Sequence, residues 1–233
     1  MILRVIIPIH PLETDFNTLN YNKCLPKYCK WDSIVFHEIR ETYTCRADVM
    51  NHGVEAFCND TDHVMFLHCD TKLPLDYSQR LYEYFFNDTN TPFCFFRIKF
   101  DTRETIIIQN LIEYSVNNVR KEPYGDQCFA MSVSLFKRCG SFQPLLLLED
   151  VMFYRRVYSI YHIEYDSCEI PSYIITSDRR FRTSDGAITE FSFISNVLNN
   201  RMVMILFGLG IHPNILGSWY WRNGFSSALV TKW

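Results

Sequence analysis

Short apolar runs rich in β-branched residues alternate along this chain with longer stretches of helical character, and that alternation constrains the fold most. Strands buried on both faces read as compact runs of Val, Ile, Leu and Phe. Where helices separate such runs, the chain is led into a mostly parallel central sheet covered by helices. The runs are Leu3 to Ile9, Ser33 to Phe36, His63 to Leu67, Phe93 to Phe100 and Ile170 to Thr176. Between them the spacing predicts helices over Arg46 to Phe57, Asp76 to Phe86 and about Thr105 to Arg120. Further helices are expected over Ser134 to Cys139, stopped by Gly140, from Glu149-Asp150 for about ten residues, and from Ala187 onward. The expected fold class is α/β, with one domain over residues 1–233, since no repeat, low-complexity tract or linker divides the chain.

Charge and cysteine usage narrow the function classes. A net charge of -3 offers no basic face for tracking phosphates, so nucleic acid is not an expected partner. Nine cysteines without a C-x-x-C pair read as scattered reduced thiols, neither a disulfide framework nor a paired-cysteine zinc site. The stretch after Met1 lacks the long apolar region of a secretory signal, which gives a cytoplasmic expectation. Met202 to Ile211 is apolar throughout but only about half the ~20 residues of a membrane span. It is expected as a buried helix, with contact to a membrane surface as the alternative.

Ligands of open α/β sheets bind at the carboxyl ends of the strands, which directs attention to His68-Cys69-Asp70-Thr71-Lys72-Leu73-Pro74 after the third run. A carboxylate at Asp70 suits a hard divalent cation bridging two phosphates, although strand-end Asp residues also form turns and caps. Glu149 and Asp150 open a helix, where acidic side chains are favoured. Successive helical residues point about 100° apart, so the two carboxylates are not expected to face one atom. Asp150 is the candidate general base, with Glu149 the second member of the catalytic pair; a first-turn acidic pair is the structural alternative. In Thr176-Ser177-Asp178-Arg179-Arg180-Phe181, Arg179 and Arg180 could hold a departing diphosphate or simply form a solvated turn. No glycine-rich phosphate loop is present, against a P-loop or dinucleotide site.

Taken in order, these motifs resemble family 2 glycosyltransferases of the GT-A fold, most closely the branch labelled radical-SAM/selenodomain-associated transferase 2. The resemblance begins at Val5-Ile6-Ile7-Pro8 and runs through Arg46-Ala47 and Met50-Asn51-His52-Gly53. It continues in Phe66 to Pro74, Pro123-Tyr124-Gly125-Asp126-Gln127, Leu148-Glu149-Asp150-Val151 with Arg155-Arg156, and Thr176 to Phe181. It implies a nucleotide-diphospho-sugar transferase fold and inverting transfer from a nucleotide-sugar donor to a small or lipid-linked acceptor, assisted by Mn or Mg. On this likeness Asp70 matches the metal carboxylate and Asp150 the base. Arg46, Asn51, Arg179 and Arg180 fall on the donor side, and Gly125, Asp126 and Gln127 on the acceptor side. The C-terminal helices would supply any peripheral membrane contact.

Two departures bear on activity. Glu38 to Thr42 passes quickly to Arg46, so the family's longer base-holding loop is missing, and Phe181 stands where the family has Trp. The alternative function is a catalytically inactive binding or scaffold protein of the same fold; a nucleotidyltransferase is disfavoured by the absence of a basic Gly-rich start.

Overall fold

The structure, a computed structural model, describes residues 1–9, 30–40, 45–88, 92–101, 110–111, 113–114, 117–118, 122–177 and 190–223. Six strands, β1 (Ile2–Pro8), β2 (Ser33–Ile39), β3 (His63–Phe66), β4 (Phe93–Phe100), β5 (Ala130–Ser132) and β6 (Glu169–Thr176), form one sheet in the order β2-β1-β3-β5-β4-β6. The β1/β2, β1/β3 and β4/β6 pairings are parallel, whereas β5 is antiparallel to both β3 and β4. Five strands therefore run one way and β5 runs against them. The sheet is mainly parallel, as the alternating pattern predicts. The sequence reading did not include β5, because three residues carry too little periodicity to register as a strand.

The helices are α1 (Arg46–Phe57), α2 (Tyr77–Glu83), α3 (Val133–Arg138), α4 (Glu149–Tyr161), the single turn α5 (Tyr165–Cys168), α6 (Glu190–Gly208) and α7 (Pro213–Asn223). A π-turn, Tyr84–Asp88, extends α2, and Gly125–Gln127 form one 3₁₀ turn. Gly140 ends the α3 region at φ +80, the left-handed conformation glycine adopts without cost. Most of the helix expected from about Thr105 to Arg120 lies outside the described residues.

The period-2 alternation of the strands sorts side chains into two cores. Leu3, Val5, Ile7, Met65, Leu67, Phe96 and Ile98 face Tyr77 and Leu81 of α2. Ile6, Val64, Phe66, Phe93 and Phe95 face the other way, against Val49 and Val54 of α1 and Phe153 and Val157 of α4. The approach of α1 to β1 is close enough that a Cβ on Gly53 would lie 2.6 Å from Ile6 Cγ2. Aromatic side chains fill this second core through edge and tilted ring contacts, among them Phe66–Phe136, Phe93–Phe129 and Phe136–Phe153.

The α6–α7 pair packs through Val203 and Leu216 onto Leu148 and Val151 at the start of α4. The expected burial of Met202 to Ile211 holds on one side only. Val203 is buried, but Met202, Ile205 and Leu209 are exposed, continuing a stripe from Ile194 and Leu198. From Met202 to Phe207 the helix is apolar on every side, while its packing against α7 and α4 covers a single flank. Among the described residues, no helix is long and apolar enough to cross a membrane.

Candidate active site

Three segments meet where β3 finishes: the first residue of α1, the 3₁₀ turn Gly125–Gln127, and the first turn of α4. Arg46 enters from α1. Its Nε donates to Glu149 Oε1 at 2.6 Å, and its Nη2 lies 2.5 Å from Glu149 Oε1 and 3.4 Å from Asp150 Oδ2. Both carboxylates thus reach one nitrogen, which the helical-angle argument did not anticipate. Glu149 has one more methylene than Asp150, and that length lets it reach back to the guanidinium across the 100° offset. On the other side, Arg46 Nη1 meets His68 Nε2, tying the strand end to the carboxylate pair.

Backbone geometry aims these groups. Leu148, the residue before α4, is buried and left-handed at φ 65, and Cys128, just after the 3₁₀ turn, has φ 56. Left-handed non-glycine residues cost roughly 1–2 kcal/mol each and persist only where their surroundings hold them. Here one starts the helix bearing Glu149 and Asp150, and the other redirects the chain from the turn into β5. The Gly125 N–H donates to Asp150 Oδ2 at 2.6 Å, and the Val151 N–H to Asp150 Oδ1 at 2.7 Å. A Cβ on Gly125 would sit 3.1 Å from both Arg46 Nη2 and Asp150 Oδ2. Only glycine lets this turn close over the pair without displacing it.

The electrostatics follow from the count of buried charges. Asp126, Glu149 and Asp150 are all buried. Burial, and then the adjacent charge of Glu149, push Asp150 up to about 6; Arg46 and the N–H groups of Gly125 and Val151 pull the other way without cancelling the rise. Burial works against the charge of Arg46, but Glu149, Asp150 and Asp126 outweigh it and raise its pKa. The Cys128 thiol is raised by burial and by the charges of Asp126 and Asp70, so both carboxylates act on this one group behind the strand end. A buried carboxylate raised to about 6 is suited to exchanging a proton with a hydroxyl.

The remaining expected residues take several places. Asp70 lies in the turn after β3, which is pinned to the end of β6 by a Thr71–Thr176 hydroxyl bond of 3.0 Å and by paired backbone bonds between Lys72 and Ile175. Asn51 uses both ends of its amide on the Phe142 backbone, at 2.8 and 3.0 Å. Gln127, expected on the acceptor side, is fully buried and braces the Tyr124 N–H and the Phe96 carbonyl. Arg179 and Arg180 lie outside the described residues. His68 belongs to the site but was not singled out from the sequence, where its place two residues before Asp70 was the available signal.

No family model and no curated protein matches the sequence. Solved structures do. TarS 1–349 from S. aureus, in complex with UDP-GlcNAc, superposes with a TM-score of 0.50 at 11% identity, covering 88% of this chain; the chain spans 65% of that one. The mannosyltransferase PcManGT from Pyrobaculum calidifontis, in complex with GDP-Man and Mn2+, superposes at 0.51 and 12% identity, covering 97% of this chain and 71% of that one. The six-stranded, mainly parallel α/β sheet and its flanking helices are therefore those of a glycosyltransferase fold.

Proposed function

We propose that the chain is a single-domain glycosyltransferase that moves a sugar, with inversion, from a nucleotide-diphosphate donor to an acceptor hydroxyl, in the manner of family 2. The observation that carries this reading is Asp150, a buried carboxylate raised to about 6 and oriented by the Gly125 N–H and Arg46 where β3 ends. The nucleotide sugars bound by the two structural neighbours support the choice of donor class. In this reading Asp150 takes the proton of the acceptor hydroxyl as its oxygen bonds to the anomeric carbon. The bond from that carbon to the diphosphate breaks, and the nucleotide leaves with the electron pair. Glu149 and Arg46 hold Asp150 in place, and Arg179 and Arg180 are proposed to meet the departing charge.

Among the described residues, no group of three or more His, Cys, Asp or Glu side chains is placed to hold a metal ion alone. The donor set fits instead a cation shared between Asp70 and donor phosphates, because Mn or Mg at such sites needs only one or two carboxylates. Bound there, it would supply charge neutralisation to the leaving diphosphate.

The direct test is sugar transfer from UDP-GlcNAc and GDP-mannose to hydroxyl acceptors, with and without Mn2+. Transfer that needs the cation, with donor binding weakened in Asp70→Asn, is expected. A folded protein that neither binds nor turns over either donor would favour the inactive scaffold. The exposed apolar side of α6 supports an acceptor presented at a membrane surface. Flotation with phospholipid vesicles is expected to carry the chain, and a chain left behind in solution would argue for a small soluble acceptor.

A further inference from the structure

We infer that Arg46 is a positioning residue that orients Asp150 and sets its charge state, and not a ligand of the donor diphosphate. The inference relies on the transfer reading only for what Asp150 does to a substrate. An arginine that grips phosphate presents its planar fork of donors outward. Arg46 turns its fork inward: Nε and Nη2 go to Glu149, Nη2 also reaches Asp150, and Nη1 meets His68. Its side chain is 19% exposed, so little of it faces a ligand. Since a guanidinium has no acceptor, His68 Nε2 takes part as the acceptor, and the ring steadies the far end of the fork.

The closure over this fork is equally specific. The Gly125 turn lies against both Arg46 and Asp150, and a single added Cβ would crowd Nη2 and Oδ2 equally. The charged and polar groups around Asp150 come from every neighbouring segment. Glu149 lies beside it on α4, Arg46 reaches it from α1, and Gly125 donates its N–H from the turn. Asp126 acts through its charge on Arg46, and His68 through its contact with Arg46. One guanidinium therefore balances several buried carboxylates. Removing it leaves Asp150 with the repulsion of Glu149 and, among the described residues, no other cation to offset it.

The test is a carboxyl 13C NMR titration of Asp150 in the full chain, paired with calorimetric binding of UDP-GlcNAc and GDP-mannose in the presence of Mn2+. In Arg46→Gln the Asp150 midpoint should rise by about one unit or more, the scale of losing an opposite charge at close range. Arg46→Lys, which keeps the charge but loses the fork, should recover most of that shift. Donor affinity in Arg46→Lys should change by less than about threefold. If Arg46→Gln does not fold, Arg46→Met decides: it keeps the apolar stem without the charge, and the midpoint should rise in the same way. An unmoved midpoint in a folded Arg46→Gln, or in Arg46→Met where Arg46→Gln fails to fold, overturns the inference. So does a tenfold or greater loss of donor affinity in Arg46→Lys with the midpoint in place. If the wild-type chain binds neither donor, the transfer reading falls while the titration still decides the role of Arg46.

Discussion

Arg4 on β1 and Arg46 at the start of α1 give partly buried guanidinium groups to similar company at opposite ends of β3. Arg4 donates from Nε to Asp62 Oδ2 at 3.1 Å and stands 3.5 Å from His37 Nε2. Arg46 likewise meets carboxylate and a histidine ring, but it meets two carboxylates and feels the charge of a third. At the strand start one charge meets one charge, and Asp62 is completed by the Asn59 N–H at 3.0 Å. At the strand finish the carboxylates outnumber the cation among the described residues, and burial first, then the adjacent charge of Glu149, makes Asp150 reluctant to ionise. A balanced buried pair holds structure, whereas an overloaded one leaves a proton to move. The overloaded cluster lies at the carboxyl ends of the parallel strands, where open α/β folds bind ligands.

The contrast breaks most visibly if the two ends are mutated separately. Asp150→Asn should lower transfer per folded molecule by roughly 10²–10⁴-fold, the usual range for a lost general base. Asp62→Asn should leave it nearly unchanged, so equal losses in a steady-state assay would erase the distinction. For stability the order reverses. Asp62→Ala strands Arg4 as an uncompensated, largely buried charge and should cost about 3 kcal/mol in urea unfolding. Asp150→Asn, which relieves carboxylate repulsion, should cost far less.

Gly125→Ala probes the closure over the overloaded cluster. The added methyl crowds Arg46 and Asp150, and overpacking of this kind typically costs about 1–3 kcal/mol. A thermal melt identical to wild type would show that the turn has slack that the geometry does not suggest.

Acid separates the two ends by sign. Burial, opposed by Asp62 and aided by the N-terminal ammonium, lowers His63 at the strand start to about 4 from an unfolded value near 6.5. The unfolded chain then binds more protons, so this contribution is lost as pH falls from 6.5 toward 4, by at most about 3 kcal/mol. Asp150 behaves oppositely. Its folded value of about 6 lies above the unfolded value, so acidification through 6 favours the fold. Stability against pH should therefore fall more steeply below 6.5 in Asp150→Asn and less steeply in His63→Phe, and parallel profiles would refute the assignment of either group. The smallest effect belongs to Lys137, whose ion pair with Asp60 is exposed on both sides at 2.5 Å. Lys137→Ala should shift stability by less than about 0.5 kcal/mol, which calibrates what burial adds at neighbouring Asp62.

Elements with strong local periodicity were legible from the chain itself: the α1 bounds Arg46–Phe57, the β4 bounds Phe93–Phe100 and the Gly140 stop agree with the sequence reading. Asp150 and Glu149 stood out because adjacent acids open a helix after an apolar run. Those signals are carried by residues within a few positions of one another, so sequence spacing alone determines them. What the tertiary structure decided lies across long separations. Arg46 is 103 residues from Glu149, and no spacing rule foretells that its guanidinium would be taken up by protein carboxylates. Three-residue β5 is a strand only because β3 and β4 flank it with open backbone groups. The α6 stripe stays exposed because burial depends on which neighbours arrive, and composition records only that a side chain is apolar. Sequence determined the residues capable of the chemistry; the fold determined how many carboxylates would share one cation.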